Sequence, residues 1–585
     1  MGTGDGASAQ TRRAKGRSLA DFPVLSHAEQ QLIAACREGR ECRVGNGTVP
    51  RQRSHVVAVR AGLIRFLALG GDEQAPVHEC GVQLRGAWLD ELLDLSDIEA
   101  SRPLHLLACN IAGIKAEQAR LPILNLEGSK VRGGIAADGL RCANGMFMRE
   151  ARIFGEVRLN ASDITGFLDC AGARFVNPLR KPGGEGGAAL TANGMKVSGD
   201  VNLSEGVRAF GTVSLVGTAI GGDLNCGGAR CYNPARALVP GDDTKTGGEA
   251  LSLGGVHVGG NAYLNAGFCA LGQLTLRGAD ITGDLDCSGA SFKNPDGVAL
   301  SGDRAKIGGR FFFRDVTAVR GRIELYLMQV ASLIDDAASW RRAAGALVLD
   351  GFTYSRIAES PTGAAMRIGW LDGQDPDHLG QDFRPQPWEQ LVAVLRASGH
   401  PAEARLIAIE KQRRLLAAAR LRLKAPRPAV SLPARAYHAA ADRIGWRFTW
   451  LYGKLVGFGY APVRLLLIMI AAWFVFALAY LSASSPGAWP LNAPCTLFAA
   501  AKPGSAPPAT NVRAAGCAPT TRFDPWLYSA DVLLPIDLGY QATARPADSG
   551  PPGGVLRWLI SLETAAGWLG VALLIAAFTN LIKKD

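Results

Sequence analysis

The sequence has few aromatic residues and only two long apolar runs, and this scarcity excludes several protein classes. Aromatic residues make up 7% of the 585 positions, against 71 glycines, a balance that favours many tight turns over large helical cores. The first 20 residues lack the apolar segment of a signal peptide, so we expect the N-terminal part to stay in the cytosol. Twelve cysteines in so long a chain do not make a disulfide-stapled secreted domain.

Common catalytic motifs are also missing from the sequence. There is no GxGxxG with an acid about 20 residues later, no CxxC, and no His and Cys pair at zinc spacing. The eight histidines are scattered, and solitary histidines are more often structural or exposed than catalytic. The residues therefore predict no catalytic, cofactor or metal site, although they do not exclude an enzyme.

A unit that ends in Asn-Pro occurs three times: EVRLNASDITGFLDCAGARFVNP, TVSLVGTAIGGDLNCGGARCYNP and QLTLRGADITGDLDCSGASFKNP. In each copy the small or apolar positions follow one another at steps of 2, 3, 2, 4, 2, 3 and 2. A step of 2 indicates a short strand with one face inward, and the larger steps, rich in Gly, Asp and Asn, indicate turns. Such short strands must stack on one another, which predicts a β-solenoid from about Val82 to Tyr354.

The internal repeat of 11 residues predicts coils of about 22 residues with four short faces, and about ten to twelve coils. Polar inserts after the Asn-Pro pairs, LRKPGGEGG and ARALVPGDDTKTGG, are the expected binding loops. Cys170, Cys226 and Cys287 recur at one position of the unit, which is compatible either with metal or redox chemistry or with burial. They lie two coils apart, roughly 10 Å, too far for a disulfide or a shared metal, so we expect three buried thiols.

The predicted fold class is a pentapeptide-like β-solenoid followed by an α-helical linker and two transmembrane helices. Ser26 and Glu29 have the spacing of a capping box at the start of a helix. The predicted segments are a disordered tail (1–20), a helical cap region (21–81), the solenoid (82–358), a linker (359–385), basic juxtamembrane helices (386–460), a first transmembrane helix (461–484), an extracytoplasmic segment (485–556) with a short helix (525–534), and a second transmembrane helix with a cytoplasmic end (557–585).

Basic residues are concentrated just before the first apolar run. The stretch 405–464 contains 13 Lys or Arg and two acids, a surplus equal to the +11 of the whole chain. This placement favours anionic lipid at the membrane surface over nucleic acid as the partner of the basic stretch. The alternative is an ordinary solvated helical linker that binds neither. The residues predicted to lie at the membrane surface are Lys411, Arg413, Arg414, Arg420, Arg422, Lys424, Arg443, Trp446, Arg447 and Trp450.

Positive charges flank both apolar runs on one side, which predicts a two-span protein of the bacterial inner membrane with the solenoid and both termini in the cytoplasm. Cys495 and Cys517 would then lie in an oxidising compartment. We expect them to form a disulfide, with two unpaired thiols as the alternative.

The segment between the runs begins a short helix at Asp524 and Pro525, followed by Asp537, Leu538, Gly539 and Tyr540. The order of span, short helix, loop and span is similar to a two-helix potassium-channel pore, and the Leu-Gly-Tyr run matches part of such a filter. Asp537 replaces the filter threonine, however, and Gln541 and Ala542 replace its glycine and aspartate. An interfacial helix is the simpler alternative.

Several further stretches carry a family resemblance: LIRFLALGGDEQAPVHECGVQLRGAW, LDGFTY, PWEQLVAVLRASGHPAEAR, GFGYAPVR and FDPWLYSADVLLPIDLG. Together with the repeats they resemble a bacterial family of membrane-anchored, pentapeptide-like β-solenoid proteins, over most of the chain. Members are sometimes labelled membrane-associated oxidoreductases. The resemblance thus implies the architecture, and an oxidoreductase activity by label alone.

Three functions follow as hypotheses. The first is a membrane-anchored scaffold without catalytic activity, whose partners would be the anionic inner leaflet and an unidentified protein, with no nucleic acid. The second is a degenerate two-span channel regulated by the solenoid, which would require a homo-oligomer. The third is the oxidoreductase of the family label.

Overall fold

A computed structural model describes residues 18–177, 187–234, 236–237, 245–246, 248–343, 347–424, 432–483, 524–539 and 551–582. The chain divides into two compact units, Met1–Ile407 and Ala408–Asp585. The first contains the solenoid and the second contains the apolar helices. Residues 1–17 of the predicted tail lie outside the described residues. The two cysteines of the predicted disulfide, Cys495 and Cys517, also lie outside them.

The N-terminal region closes one end of the solenoid. It contains a 3-10 turn at Leu19–Asp21 and the helices His27–Glu38 and Ala61–Ala68. The predicted capping box is confirmed, because the Glu29 backbone N–H donates to Ser26 Oγ at 3.1 Å and the Ser26 N–H donates to Glu29 Oε2 at 2.9 Å. The strand Cys42–Arg43 pairs in parallel with the first strand of the solenoid, so its sheet edge is covered.

The predicted β-solenoid is confirmed over residues 82–357, with about 11 turns. In the described residues, its strands form two parallel sheets of 20 and 19 strands. Each coil passes through four short faces, and strands one coil apart pair in register, as Arg152 does with Arg174. At a stacking distance of about 4.8 Å, this number of turns gives a rod of about 50 Å.

We number the faces 1 to 4 in the order in which each coil passes through them. Face 1 comprises Trp88–Leu89, Asn110–Ile111, Lys130–Val131, Arg152–Phe154, Arg174–Val176, Arg208–Phe210, Arg230–Tyr232, Cys269–Leu271 and the first parts of Ser291–Ser301 and Ala318–Glu324. Face 2 comprises Leu93–Asp94, Ile114–Lys115, Ile135–Ala136, Val157–Arg158, Ala188–Thr191, Thr212–Ser214, Glu249–Ser252, Gln273–Thr275, Leu347–Val348 and the last parts of the same two long strands.

The other sheet forms faces 3 and 4. Face 3 comprises Arg120–Leu121, Arg141–Cys142, Asp163–Ile164, Lys196–Val197, Ala219–Ile220, His257–Val258, Asp280–Ile281 and the first parts of Lys306–Phe313, Gln329–Asp335 and Thr353–Ile357. Face 4 comprises Cys42–Arg43, Val82–Arg85, Leu104–Leu107, Leu124–Asn125, Gly145–Phe147, Phe167–Asp169, Val201–Asn202, Leu224–Asn225, Ala262–Tyr263, Leu285–Asp286 and the last parts of the same three long strands.

Polar side chains at the turn between faces 3 and 4 hold the coils in register. The backbone N–H of Asp223 donates to Asp200 one coil earlier, that of Asn261 donates to Asp223, and that of Asp284 donates to Asn261, at 2.6–2.9 Å. The glycines beside them are required, since a Cβ on Gly259 would overlap the carbonyl oxygen of Gly221 in the preceding coil. The Gly-Asp and Gly-Asn pairs of the repeat therefore encode coil stacking.

The predicted burial of the three repeated cysteines is confirmed: Cys170, Cys226 and Cys287 have no exposed surface. Leu168 and Leu224, two residues before Cys170 and Cys226, both pair with Val201 of the intervening coil, so these two cysteines lie two coils apart. Burial raises the pKa of these thiols, which removes the reactive thiolate.

We expect thiol reagents to distinguish these positions in the native chain. In a Cys495→Ser/Cys517→Ser background, the exposed Cys80 should react first and the half-exposed Cys269 more slowly. The three repeated cysteines should react only after unfolding, because their thiols are buried and protonated. Mass spectrometry after brief iodoacetamide treatment measures this, and labelling of Cys170 in folded protein would contradict it.

Helices close the other end of the solenoid. Ala337–Arg342 is inserted before the last two strands, and Ala364–Leu371, Pro376–Leu379 and Gln386–Ala397 follow them. The next helix is Pro401–Lys424. The second unit contains Leu432–Val456, Pro462–Ala483, Pro525–Leu533 and Pro551–Ile582. Pro462–Ala483 (the first span) and Gly554–Ala577 (the second span) are long and apolar enough to cross a membrane, with hydropathies of 2.4 and 1.8.

Candidate functional site

The first candidate site is the corner between faces 1 and 2, where the polar inserts leave the solenoid. The Asn of each Asn-Pro pair closes the base of its insert. Asn177 donates its side-chain amide to the carbonyl of Ala188 at 2.7 Å, Asn233 donates to that of Glu249 at 2.8 Å, and Asn294 donates to that of Val298 at 2.9 Å. The sequence marked this residue only as the end of the repeat, and its role as a clamp was missed.

Most residues of the two long inserts lie outside the described residues, but their bases are well defined. The backbone N–H of Gly187 donates to the Asn177 carbonyl at 2.8 Å, and that of Gly248 donates to the Asn233 carbonyl at 2.9 Å. A short antiparallel pair, Arg236–Ala237 with Lys245–Thr246, begins the second insert. The corner therefore presents loops on a rigid base, which is the usual placement of binding residues.

A cavity of about 700 Å³ lies beside this corner. Its lining includes Glu249, Gln273, Arg277 and Asp296. The lining thus combines two carboxylates, a guanidinium and an amide. Such a cavity offers hydrogen-bond partners for a polypeptide rather than an apolar pocket for a small ligand.

We expect Asn233→Ala to loosen the second insert. The Asn233 amide donates both to the Glu249 carbonyl and to Thr212 Oγ1 at 2.8 Å, and losing two such bonds costs about 1–3 kcal/mol locally. Trypsin should then cleave faster after Arg236 and Lys245, as measured by mass spectrometry of the fragments. Asn225→Ala, which removes an acceptor for Gly227 N–H at another turn, is the control. Equal cleavage rates in the two variants would refute the clamp.

The second candidate site is the pair of basic helices, Pro401–Lys424 and Leu432–Val456. The Trp446 indole N–H donates to the carbonyl of Leu416 at 3.1 Å, and the Arg420 guanidinium lies 5.4 Å from the Trp446 ring. The two helices are therefore packed together, and one Arg and one Trp of the predicted membrane-surface set meet there. The Lys424 side chain lies outside the described residues.

The remaining predicted membrane-surface residues have mixed surroundings. Arg413 and Arg414 both pair with Glu410 at 3.1 Å, and the Lys454 ammonium lies 5.9 Å from the Trp450 ring. Exposed ion pairs of this kind are common on soluble helices.

An exposed apolar row on Leu432–Val456 was missed by the sequence analysis. Ile444, Phe448 and Leu451 are 67%, 57% and 39% exposed and follow one another at helical spacings of 4 and 3. Arg443 and Arg447 directly precede the first two. A basic helix with an exposed apolar row is typical of segments that lie in the headgroup layer. The spacing of 4 and 3 residues is the signal in the sequence that marks this row.

The end of this helix packs against both spans. Val456 forms a buried cluster with Leu465 of the first span and with Leu573 and Ala577 of the second. The helix that carries the exposed apolar row therefore contacts both apolar helices within the second unit.

The third candidate site is the hairpin formed by the spans and the short helix. The predicted helix is confirmed as Pro525–Leu533, with the Asp524 carboxylate accepting from Trp526 N–H at 2.9 Å. Tyr528 and Val532 pack against Tyr480 of the first span and Leu556 of the second. The Trp473 indole N–H donates to the Trp526 carbonyl at 2.9 Å, which ties the helix to the first span.

A fully buried carboxylate, Glu563, joins the three helices of the hairpin. The Tyr480 hydroxyl donates to Glu563 Oε2 at 2.5 Å, and Ser529 Oγ hydrogen-bonds to Glu563 Oε1. The sequence analysis missed this residue. The signal was an acid in an apolar stretch, and such acids in a membrane helix face other protein groups rather than lipid.

The pore-like segment is described as far as Gly539. Asp531 is buried and its carboxylate accepts from the Leu538 backbone N–H at 2.5 Å, while Asp537 accepts from Gly539 N–H at 2.8 Å. The loop after the short helix is therefore held by two carboxylates. Tyr540, the remaining residue of the predicted segment, lies outside the described residues.

The described residues contain no group of three or more His, Cys, Asp or Glu side chains that could hold a metal ion. Comparison with protein-family models, curated proteins and solved structures gives no match to this chain. The proposals on function therefore depend on the architecture and on local chemistry.

Proposed function

We propose that this protein is a membrane-anchored scaffold, in which a rigid β-solenoid is tethered to the bacterial inner membrane and presents loops to a protein partner. The observation that carries the proposal is one chain with a continuous parallel solenoid and two helices apolar enough to cross a membrane. Solenoids characteristically use extended surfaces for binding. The clamped inserts at one corner supply variable loops on a rigid base.

The distribution of charge supports the proposed orientation. Basic residues precede the first span and follow the second, which favours a cytoplasmic solenoid with 485–556 on the other side. The exposed row of Ile444, Phe448 and Leu451, beside Arg443 and Arg447, suits contact with anionic lipid.

Thiol labelling of intact cells tests the topology and the predicted disulfide together. With Cys80→Ser as the background, Cys495 and Cys517 should react with a membrane-impermeant maleimide only after reduction. Reaction without reduction would refute the disulfide alone. No reaction after reduction, with the outer envelope permeabilised, would refute the topology.

Site-specific crosslinking tests the scaffold itself. A photo-crosslinking residue placed in the second insert, at Asp242 or Thr244, should trap one defined protein in living cells. The same residue placed at Lys196, an exposed position on face 3, is the control. Deleting residues 411–585, which removes both spans and every residue predicted to lie at the membrane surface, should release the solenoid from the membrane fraction. A chain that stays membrane-bound after that deletion, or crosslinks only at the control position, would contradict the proposal.

One observation favours a channel as a second candidate function. The short helix Pro525–Leu533 packs against both spans, in the order found in two-helix pores. A pore of two spans per chain needs a ring of subunits, so native mass spectrometry of the solubilised chain separates the two functions. A tetramer that also passes potassium or sodium ions in liposomes would support the channel, and a monomer or dimer would rule it out.

A further inference from the structure

Face 1 carries a row of basic residues in successive coils. Lys130 pairs in register with Arg152, Arg152 with Arg174, Arg174 with Arg208, and Arg208 with Arg230. We call these five residues the arginine ladder. Arg152, Arg174, Arg208 and Arg230 are exposed and Lys130 is half-buried. Five cations are thus stacked along one edge of the rod at about 4.8 Å per step.

No member of the arginine ladder forms an ion pair with any described carboxylate. Other arginines of the solenoid are paired: Arg149 lies 2.8 Å from Asp169, and Arg158 lies 2.9 Å from Glu117. On face 3 acidic residues interrupt the basic ones instead, with Asp163 in register between Arg141 and Lys196. Like charges directly opposite each other destabilise a sheet, so a ladder of one sign is unfavourable unless an anion covers it.

A row of aromatic residues beside the arginine ladder contacts two of its cations. The Lys130 ammonium lies 5.4 Å from the Phe154 ring, and the Arg174 guanidinium lies 5.1 Å from the Phe210 ring. Phe210 and Tyr232 stack on each other at 5.0 Å. These contacts hold Lys130 and Arg174 in place, and they occupy ring surface on which bases of single-stranded nucleic acid would otherwise stack.

The spacing of the arginine ladder fits one kind of acidic polypeptide. Four steps of about 4.8 Å span about 19 Å. An α-helix with one acidic residue per turn of about 5.4 Å covers about 22 Å in the same number of steps, within the reach of flexible arginine side chains. An extended strand repeats on one side about every 6.6 Å, which is about 26 Å over four steps, and falls out of register.

We propose that the arginine ladder binds an acidic α-helical segment of the protein partner. Arginine favours this ligand, because its planar guanidinium can form two hydrogen bonds to one carboxylate. The location agrees, since Arg174 and Arg230 lie on the strands that lead directly into Asn177 and Asn233, the clamps of the two long inserts. The inference rests on the proposed scaffold function and names the chemistry of its partner.

Fluorescence anisotropy with the full-length chain in zwitterionic nanodiscs tests this inference. The probe is a labelled helical peptide with one Glu per turn, and a peptide with Gln in place of Glu is the blank. The Glu peptide should bind, and binding should weaken with salt. Arg174→Glu/Arg208→Glu should weaken it by about tenfold or more, whereas Arg141→Glu/Lys306→Glu on face 3, with the same change in net charge, should leave it within about twofold.

Three outcomes would overturn the inference: no binding of the Glu peptide, equal weakening by the two variants, or ladder-dependent binding of oligo(dT) or of anionic vesicles in preference to the peptide. If Arg174→Glu/Arg208→Glu does not fold, as judged by circular dichroism, Arg174→Gln/Arg208→Gln replaces it. This variant should also weaken binding of the Glu peptide. Failure of peptide binding while loop crosslinking in cells persists would refute the ladder and leave the scaffold standing. Absence of membrane attachment or of loop crosslinking in the unmodified chain would instead refute the proposed scaffold function.

Discussion

Replacement of Arg367 by methionine is expected to lower the free energy of unfolding of the solenoid unit by about 3–5 kcal/mol. Arg367 and Asp335 form a two-bond ion pair at 2.6 and 2.9 Å, and neither side chain has exposed surface. The Trp340 indole N–H also donates to Asp335, at 2.6 Å. Removing the arginine leaves a buried carboxylate without its cation, at the point where the last coils meet the closing helices.

Urea unfolding followed by tryptophan fluorescence measures this effect, because Trp340 and Trp370 lie beside the pair. The double variant Asp335→Leu/Arg367→Met is the control. It removes both charges, so it should be less destabilised than Arg367→Met alone. A single variant within about 1 kcal/mol of the parent would show that the ion pair is not what holds this end together.

Replacement of Glu563 by leucine should destabilise the hairpin of spans and short helix by about 2–6 kcal/mol. The Tyr480 and Ser529 hydroxyls would each lose their carboxylate acceptor in a buried site, at about 1–3 kcal/mol apiece. Glu563→Gln is the matched control, since its amide can accept from Tyr480 and donate to Ser529 Oγ. It should stay within about 1 kcal/mol of the parent.

Thermal unfolding in detergent, followed by the fluorescence of Trp473 and Trp526, reports on this region because the two indoles lie against each other. We expect a lower midpoint for Glu563→Leu only. Equal midpoints for the leucine and glutamine variants would mean that volume, rather than hydrogen bonding, is the important property at this position.

The regular part of the fold was predictable because its signals are local. Apolar residues two positions apart, Gly-Asp turns and a fixed unit length define the coils, and Ser26 with Glu29 or Asp524 with Pro525 define helix starts. Each of these patterns acts within a few residues of the chain. The described solenoid and the short helix accordingly agree with the prediction.

The site chemistry was not predictable because it joins distant segments. Glu563 meets Tyr480, which is 83 residues away, and Arg367 meets Asp335, which is 32 residues away. The arginine ladder was hidden for a related reason. Its members lie 22 residues apart except across the first long insert, where Arg174 pairs with Arg208, so the periodicity is broken in the sequence although it is continuous in space.

The asparagine clamps make loop length independent of coil register. The clamped partners are separated by 11, 16 and 4 residues in the three repeats, yet each is closed by the same side-chain hydrogen bond. Insertions and deletions at this corner can therefore accumulate while the strand pairs beyond the base of the insert are kept, and binding specificity can diversify while the rod is preserved. The same corner is the natural position at which to graft a foreign peptide into this protein.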